Sequence, residues 1–227
     1  LSGKTVSICG IAKGSGMIHP NMATMLSYVV TDAAVSKEVL TAMQKKITHT
    51  TFNMVTVDGD TSTNDTATII ANGCAGNPII DKAEGEDYKT LYDAVYYVTE
   101  YLAKAIAADG EGATRLMEVD LIGAETEEQA RTCARSVASS SLVKAAIHGA
   151  DANWGRVLCA MGYSGAQFDQ MKVDVAFASE KGSIDVFVKG VPQNFDEDKA
   201  LEILQNDVVQ IKINMNSGDH AVKAWGC

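Results

Sequence analysis

Residues 13–26, KGSGMIHPNMATML, gather groups that can do chemistry into one short span: basic Lys13, then Gly14 and Gly16, a turn at Pro20, small Ala23 and hydroxyl-bearing Thr24. Glycines let a backbone approach a ligand closely, so a phosphate loop is the first chemistry to weigh. It fails, because GxxxxGK[ST] puts Lys after its glycines, whereas Lys13 precedes Gly14 and Gly16. The run DGDTSTND from Asp58 invites a calcium loop with Asp58, Asp60 and Ser62 as alternating oxygen ligands. Its register fails too, since the sixth position, which takes Gly, is Thr63 and the twelfth, which takes Glu, is Ile69. An acid-rich turn whose side chains bond their own backbone fits better. Histidines stand at 19, 49, 148 and 220, with His148 and Asp151 close together in HGADANWGR. A Ser/His/Asp triad is a matter of geometry rather than spacing, so none is assigned. Cysteines at 9, 74, 133, 159 and 227 form an odd, scattered set without CxxC or zinc spacing; a reduced compartment suits them, and apolar packing is the default for Cys9 and Cys74.

The elements that must position these groups follow from periodicity. Residues 5–12 are apolar and β-branched and run into the Gly-rich turn, as a strand does, and 24–31, TMLSYVVT, predicts a second strand. Ser36 can cap a helix carrying Val39, Leu40, Met43 and Ile47 on one side. Residues 54–57 and 66–71 read as strands joined by the acidic loop. Tyr88, Leu91, Tyr92, Val95, Val98, Leu102 and Ile106 predict a long helix over 87–108, ended near Gly110. A strand over 115–122 precedes a helix opened by the capping pattern at Thr126-Glu127-Glu128-Gln129. Further on, a helix over 151–161, a hairpin about 179–182, a short helix over 196–205 and an alternating strand turning back at Ser217-Gly218 complete an α+β pattern in one domain.

The 227 residues carry 19 Lys plus Arg against 29 Asp plus Glu, a net charge of −10, which argues against a nucleic-acid partner, since phosphate binding needs a local cationic excess. Apolar residues at 46% and charged residues at 21% exclude a disordered chain, and no run approaches the roughly 20 apolar residues of a membrane helix.

Five segments in order, KGSGMIHPNMATML at 13–26, VDGDTSTND at 57–65, EGATRLMEV at 111–119, HGADANWGR at 148–156 and AWGC at 224–227, resemble the ornithine acetyltransferase family of arginine biosynthesis, including its bifunctional glutamate N-acetyltransferase members. The resemblance spans nearly the whole chain. It implies a layered α/β sandwich like that of N-terminal-nucleophile hydrolases, with mostly antiparallel sheets. It also implies a precursor that cuts itself between Ala23 and Thr24, dividing the chain into 1–23, the end of an α portion, and 24–227, the catalytic β portion. Such a cut makes chemical sense. A threonine hydroxyl is a poor nucleophile, but a freed α-amine on the same residue, with a pKa of about 7.7 to 8.0, can take its proton near neutral pH.

By the same resemblance Thr24 takes the acetyl group of N2-acetylornithine as an ester and passes it to glutamate. Lys13 corresponds to a substrate-binding lysine suited to a carboxylate, and Glu111 to a substrate-binding glutamate suited to an ammonium group. The bland alternatives are a solvated turn lysine, a loop glutamate after Gly110 and an ordinary strand threonine. No metal or diffusible cofactor is implied; acetyl-CoA enters as a co-substrate only in a bifunctional member. The implied partner is the protein's own α chain in a hetero-oligomer, and the implied compartment is the cytoplasm. A start at Leu1 and a stop at Cys227 suggest a fragment, so an expected Thr-Gly oxyanion hole and a C-terminal Asn and Thr would lie outside it. Such a piece alone is expected to be nearly inactive. Two rivals stand beside this reading: a peptidase or amidohydrolase of the same fold, and a non-catalytic binding module.

Overall fold

Strand β1, Ile8–Lys13, alternates half-buried with exposed residues, as a strand with one covered face must. It pairs antiparallel with β2, Leu26–Thr31, which pairs parallel with β4, Thr66–Ala71, on its other side. These three make one sheet. The protein is described here by a computed structural model covering residues 1–21 and 24–227.

A seven-stranded sheet holds the rest in the order β3 (Val55–Thr56), β10 (His220–Gly226), β5 (Leu116–Ala124), β9 (Val208–Asn214), β6 (Asp174–Ser179), β7 (Gly182–Val188) and β8 (Val191–Pro192). Among the described strand pairs, β2/β4, β3/β10 and β5/β9 are parallel and the other five antiparallel, so the sheets are mixed with an antiparallel majority. The expected hairpin about 179–182 is β6 and β7. The chain does turn back at 217–218, but β9 and β10 are not neighbours: β5 lies between them and pairs with both.

Helix α1, Lys37–Thr50, starts where the Ser36 hydroxyl accepts the Val39 N–H, and it buries Val39, Met43 and Ile47. Helix α2, Glu86–Ala108, buries Leu91, Val95, Leu102 and Ile106 and packs against β1 and β2 of one sheet and β3, β10 and β5 of the other. Helix α3, Glu127–Ser139, opens on Thr126 and crosses β10 and β5. Helix α4, Ser141–His148, was not legible in the sequence; α5, Trp154–Gly162, and α6, Glu197–Leu204, were. The core runs through Met25, Phe52, Met54, Met117, Phe177 and Trp225. The layered α+β class expected from the sequence is the class observed.

Gly10 lets α2 approach the small sheet closely. A Cβ there would lie 2.7 Å from Val98 Cγ1 and 2.9 Å from Leu102 Cδ1. Gly10→Val should therefore lift α2 from β1 and destabilise the protein by about 1–3 kcal/mol, read from the urea midpoint. An unchanged midpoint would mean that the helix does not rest on this strand.

Candidate active site

The 57–65 loop joins β3 of the large sheet to β4 of the small one, so it has to cross between the sheets. Residues 14–21 leave β1 and meet it there. The Val57 N–H donates to Ile18 O at 2.7 Å, and the Asp58 carboxylate gathers three backbone donors: Met17 N at 2.6 Å, Ile18 N at 3.2 Å and Asp60 N at 2.9 Å. Met17 holds a left-handed φ of 55°. The Thr61 hydroxyl donates to His19 O at 3.0 Å.

Thr24 follows these clamps, just before β2 begins. Its hydroxyl hydrogen-bonds the Ser62 hydroxyl, and its Oγ1 lies 3.7 Å from Met17 Sδ. Met25 is fixed from the same loop: its N–H donates to Asp65 Oδ1 at 2.9 Å and its carbonyl accepts the Thr66 N–H at 2.8 Å. Ala23, the other residue of the expected cleavage site, lies outside the described residues.

Glu111 reaches the cluster from the far end of α2. Its N–H donates to Ser15 O at 2.8 Å, the Ser15 hydroxyl donates to Asp109 O at 3.2 Å, and the Glu111 carboxylate lies against Gly16. A Cβ on Gly16 would sit 2.6 Å from Glu111 Oε2, so glycine is what lets the carboxylate close onto this segment. Lys13, in register with Leu26, is exposed on the same face of the small sheet as Ile11. A cavity of about 170 Å³ beside it is lined by Gly14, Ala105 and Asp109. The fold thus brings Thr24 and Glu111 to one segment and leaves Lys13 at its mouth, free of ion pairs among the described residues.

Two cations hold the loop from below. Lys144 of α4 donates its Nζ to Thr56 O at 3.2 Å, Val57 O at 2.9 Å and Cys227 O at 2.9 Å. Burial pulls its pKa below the ordinary lysine value, against the opposing pull of Cys227 and Asp58. Arg135 of α3 donates to His19 Nε2 at 2.6 Å. A guanidinium has no acceptor, so His19 accepts there, is neutral, and carries its proton on Nδ1, which donates to Thr56 Oγ1 at 2.9 Å. Cys227 Sγ packs against Gly110, beside Glu111, and burial raises its pKa.

Two further motifs meet behind the site. Thr114 Oγ1 pairs with His148 Nδ1 at 3.0 Å, and the Arg115 guanidinium caps α4 by donating to Ile147 O and His148 O. Asn153 caps α5 by accepting the Arg156 N–H, and the Arg156 side chain donates to Leu142 O. His148, Asn153 and Arg156 thus serve structure. Among the described residues no group of three or more His, Cys, Asp or Glu is arranged to hold a metal ion. No helix there is long and apolar enough to cross a membrane.

A model of the ArgJ family matches residues 1–227. The chain belongs to the ArgJ family. It is 49% identical over 227 residues to the arginine biosynthesis bifunctional protein ArgJ 1 of Clostridium acetobutylicum, covering all of this chain and 55% of that protein. It is 50% identical over 228 residues to the ArgJ of Thermotoga neapolitana, covering 57% of it. The chain therefore spans about half the length of these curated ArgJ relatives. A crystal structure of ArgJ from Bacillus halodurans superposes with a TM-score of 0.85 at 44% identity, over 90% of this chain and 94% of the solved one.

In this ArgJ chain Ser62, Lys144 and Arg135 were not found as site residues from the sequence. Ser62 was weighed only as a calcium ligand; the two cations sit on helices far along the chain, with no local pattern to flag them. The neutral His19 gives a pH test. Burial, then Arg135 and Lys144, outweigh Asp58 and hold its pKa below 6.5. The unfolded chain takes up this proton near pH 6.5 and the folded one only lower, so His19 favours the fold fully above that pH and loses the contribution as pH falls through the window below it. Between about pH 7.5 and about pH 5.5 the melting temperature of wild type should fall more steeply than that of His19→Gln. Parallel slopes would contradict the neutral His19.

Proposed function

We propose that this chain is the catalytic portion of a self-cleaving acyltransferase that moves acetyl from N2-acetylornithine to glutamate in arginine biosynthesis, with Thr24 as nucleophile. The observation that carries the reading is the meeting of the Thr24 hydroxyl and the Glu111 carboxylate on residues 16–17 in a chain of the ArgJ family.

In the first act the Thr24 hydroxyl oxygen attacks the Ala23 carbonyl carbon, and the peptide C–N bond breaks to free the Thr24 amine, which takes the hydroxyl proton; water then cleaves the ester, leaving the Ala23 carboxylate and restoring the Thr24 hydroxyl. That amine then takes the hydroxyl proton while Thr24 attacks the acetyl carbonyl of N2-acetylornithine. Ornithine leaves with the proton, and the α-amine of glutamate collects the acetyl from the ester. Glu111 meets the ornithine ammonium and Lys13 the carboxylate that both substrates share. Acetyl-CoA serves as a second donor, in keeping with the bifunctional naming of the relatives. The α portion of the same precursor, residues up to 23, is the partner, and the cytoplasm is the compartment.

The full-length gene product should run as two masses, one piece beginning TMLSYVV, and Thr24→Ala should run as one. Transfer to glutamate should be ping-pong and abolished in Thr24→Ala. Free acetate in place of acetylglutamate would indicate an amidohydrolase, and an uncut wild type that binds substrate a binding module. Gly16→Ala, which displaces the Glu111 carboxylate without disturbing the sheets, should raise KM for acetylornithine about tenfold. An unaltered KM would remove Glu111 from the substrate site.

A further inference from the structure

We propose that Ser62 is the positioning residue of the nucleophile: its hydroxyl sets the rotamer of Thr24 and later turns to serve the acyl-ester oxygen. The proposal rests on Thr24 being the nucleophile. Ser62 is buried, 4% exposed, on the loop that crosses between the sheets. Its Oγ accepts the Asn64 N–H at 3.1 Å and also accepts the Thr24 hydroxyl. The Asn64 bond closes a turn within the loop, so the serine oxygen is fixed before Thr24 meets it. A second neighbour of the Thr24 oxygen among the described residues, Met17 Sδ at 3.7 Å, is a weak acceptor and cannot compete. A threonine side chain has three staggered wells, and one oxygen direction has to serve attack on the Ala23 carbonyl and then on an acetyl group.

Among the described residues both bonds drawn by Ser62 are accepted ones, so its own O–H proton has no acceptor there. Once acetylated, Thr24 has no proton to give. The Ser62 O–H can then reverse and donate to the ester oxygen, which gathers negative charge as glutamate displaces it. The Asn64 N–H, still held by the serine oxygen, polarises that donor. Ser62 neither gains nor loses a proton; the Thr24 proton passes through the Thr24 amine to the departing ornithine, and the attacking glutamate amine supplies, by the same route, the proton that restores the Thr24 hydroxyl.

The test uses the full-length protein with Ser62→Ala, Ser62→Thr and Ser62→Cys. In Ser62→Ala, self-cleavage should slow and kcat for acetyl transfer should fall roughly 10- to 100-fold, with KM for acetylornithine within about twofold of wild type. Ser62→Thr, which keeps the hydroxyl, should restore most of both rates. If Ser62→Ala does not fold, Ser62→Cys, close in shape with a weak acceptor, should show the same loss of kcat. A folded alanine or cysteine variant that cleaves and transfers at wild-type rates overturns the proposal, as does a loss that appears only in KM. These results differ from a failure of the parent reading, in which wild type itself neither cuts before Thr24 nor transfers acetyl.

Discussion

The site depends on one carboxylate. Asp58 takes the N–H groups of Met17, Ile18 and Asp60, and in doing so fastens the segment leaving the small sheet to the loop leaving the large one. Met17 pays for this with a left-handed backbone, which costs about 1–2 kcal/mol in a residue with a Cβ. Three charge-assisted hydrogen bonds offset that strain, each stronger than a neutral one. Every other placement builds on the seam: Thr24 and Glu111 contact residues 16–17, and His19 sits two residues beyond.

The acidity of the chain takes on meaning here. Aspartates at loop crossings accept backbone N–H groups: Asp58 at 17–18, Asp65 at Met25, Asp32 at Ser7. Asp58, which looked like a calcium ligand, is thus occupied in holding chain. The half-buried cations work in the complementary sense, Lys144 on three carbonyls and Arg135 on a neutral histidine. Donors and acceptors of the crossing backbone are met by fixed charges of opposite sense, and a crossing loop with no ladder of its own needs such partners.

How much of this was legible in the sequence depended on the range of the cause. Helices α1, α2 and α3 were visible because burial every three or four residues and capping hydroxyls at Ser36 and Thr126 are local facts. Helix α4 was not, because Ser140 ends α3 and starts α4 in a single residue, so no loop separates the two helices. The insertion of β5 between β9 and β10 is likewise invisible from either strand, since the inserted strand lies some ninety residues earlier. Thr24, Lys13 and Glu111 were singled out through family resemblance alone; nothing in their spacing requires the 86 residues between Thr24 and Glu111 to close. Ser62 needed the crossing loop, and the crossing needs both sheets.

The same arrangement bears on how the proposed cut before Thr24 could leave the proposed nucleophile in place. Strand β2 is the central strand of its sheet, paired on one side with β1 and on the other with β4. Met25 adds two bonds on the β4 side, its N–H to Asp65 and its carbonyl from Thr66, so a new terminus at Thr24 would begin one residue from a fully paired stretch. On the other side of the cut, β1 keeps its register with β2 from Ile8 opposite Thr31 to Lys13 opposite Leu26. Residues 15–19 stay tied to Glu111, Asp58 and Arg135, all of which belong to the later piece. Breaking one peptide bond therefore releases neither end. Two chains would remain one sheet, and the amine created by the cut would appear on a residue whose hydroxyl is already held.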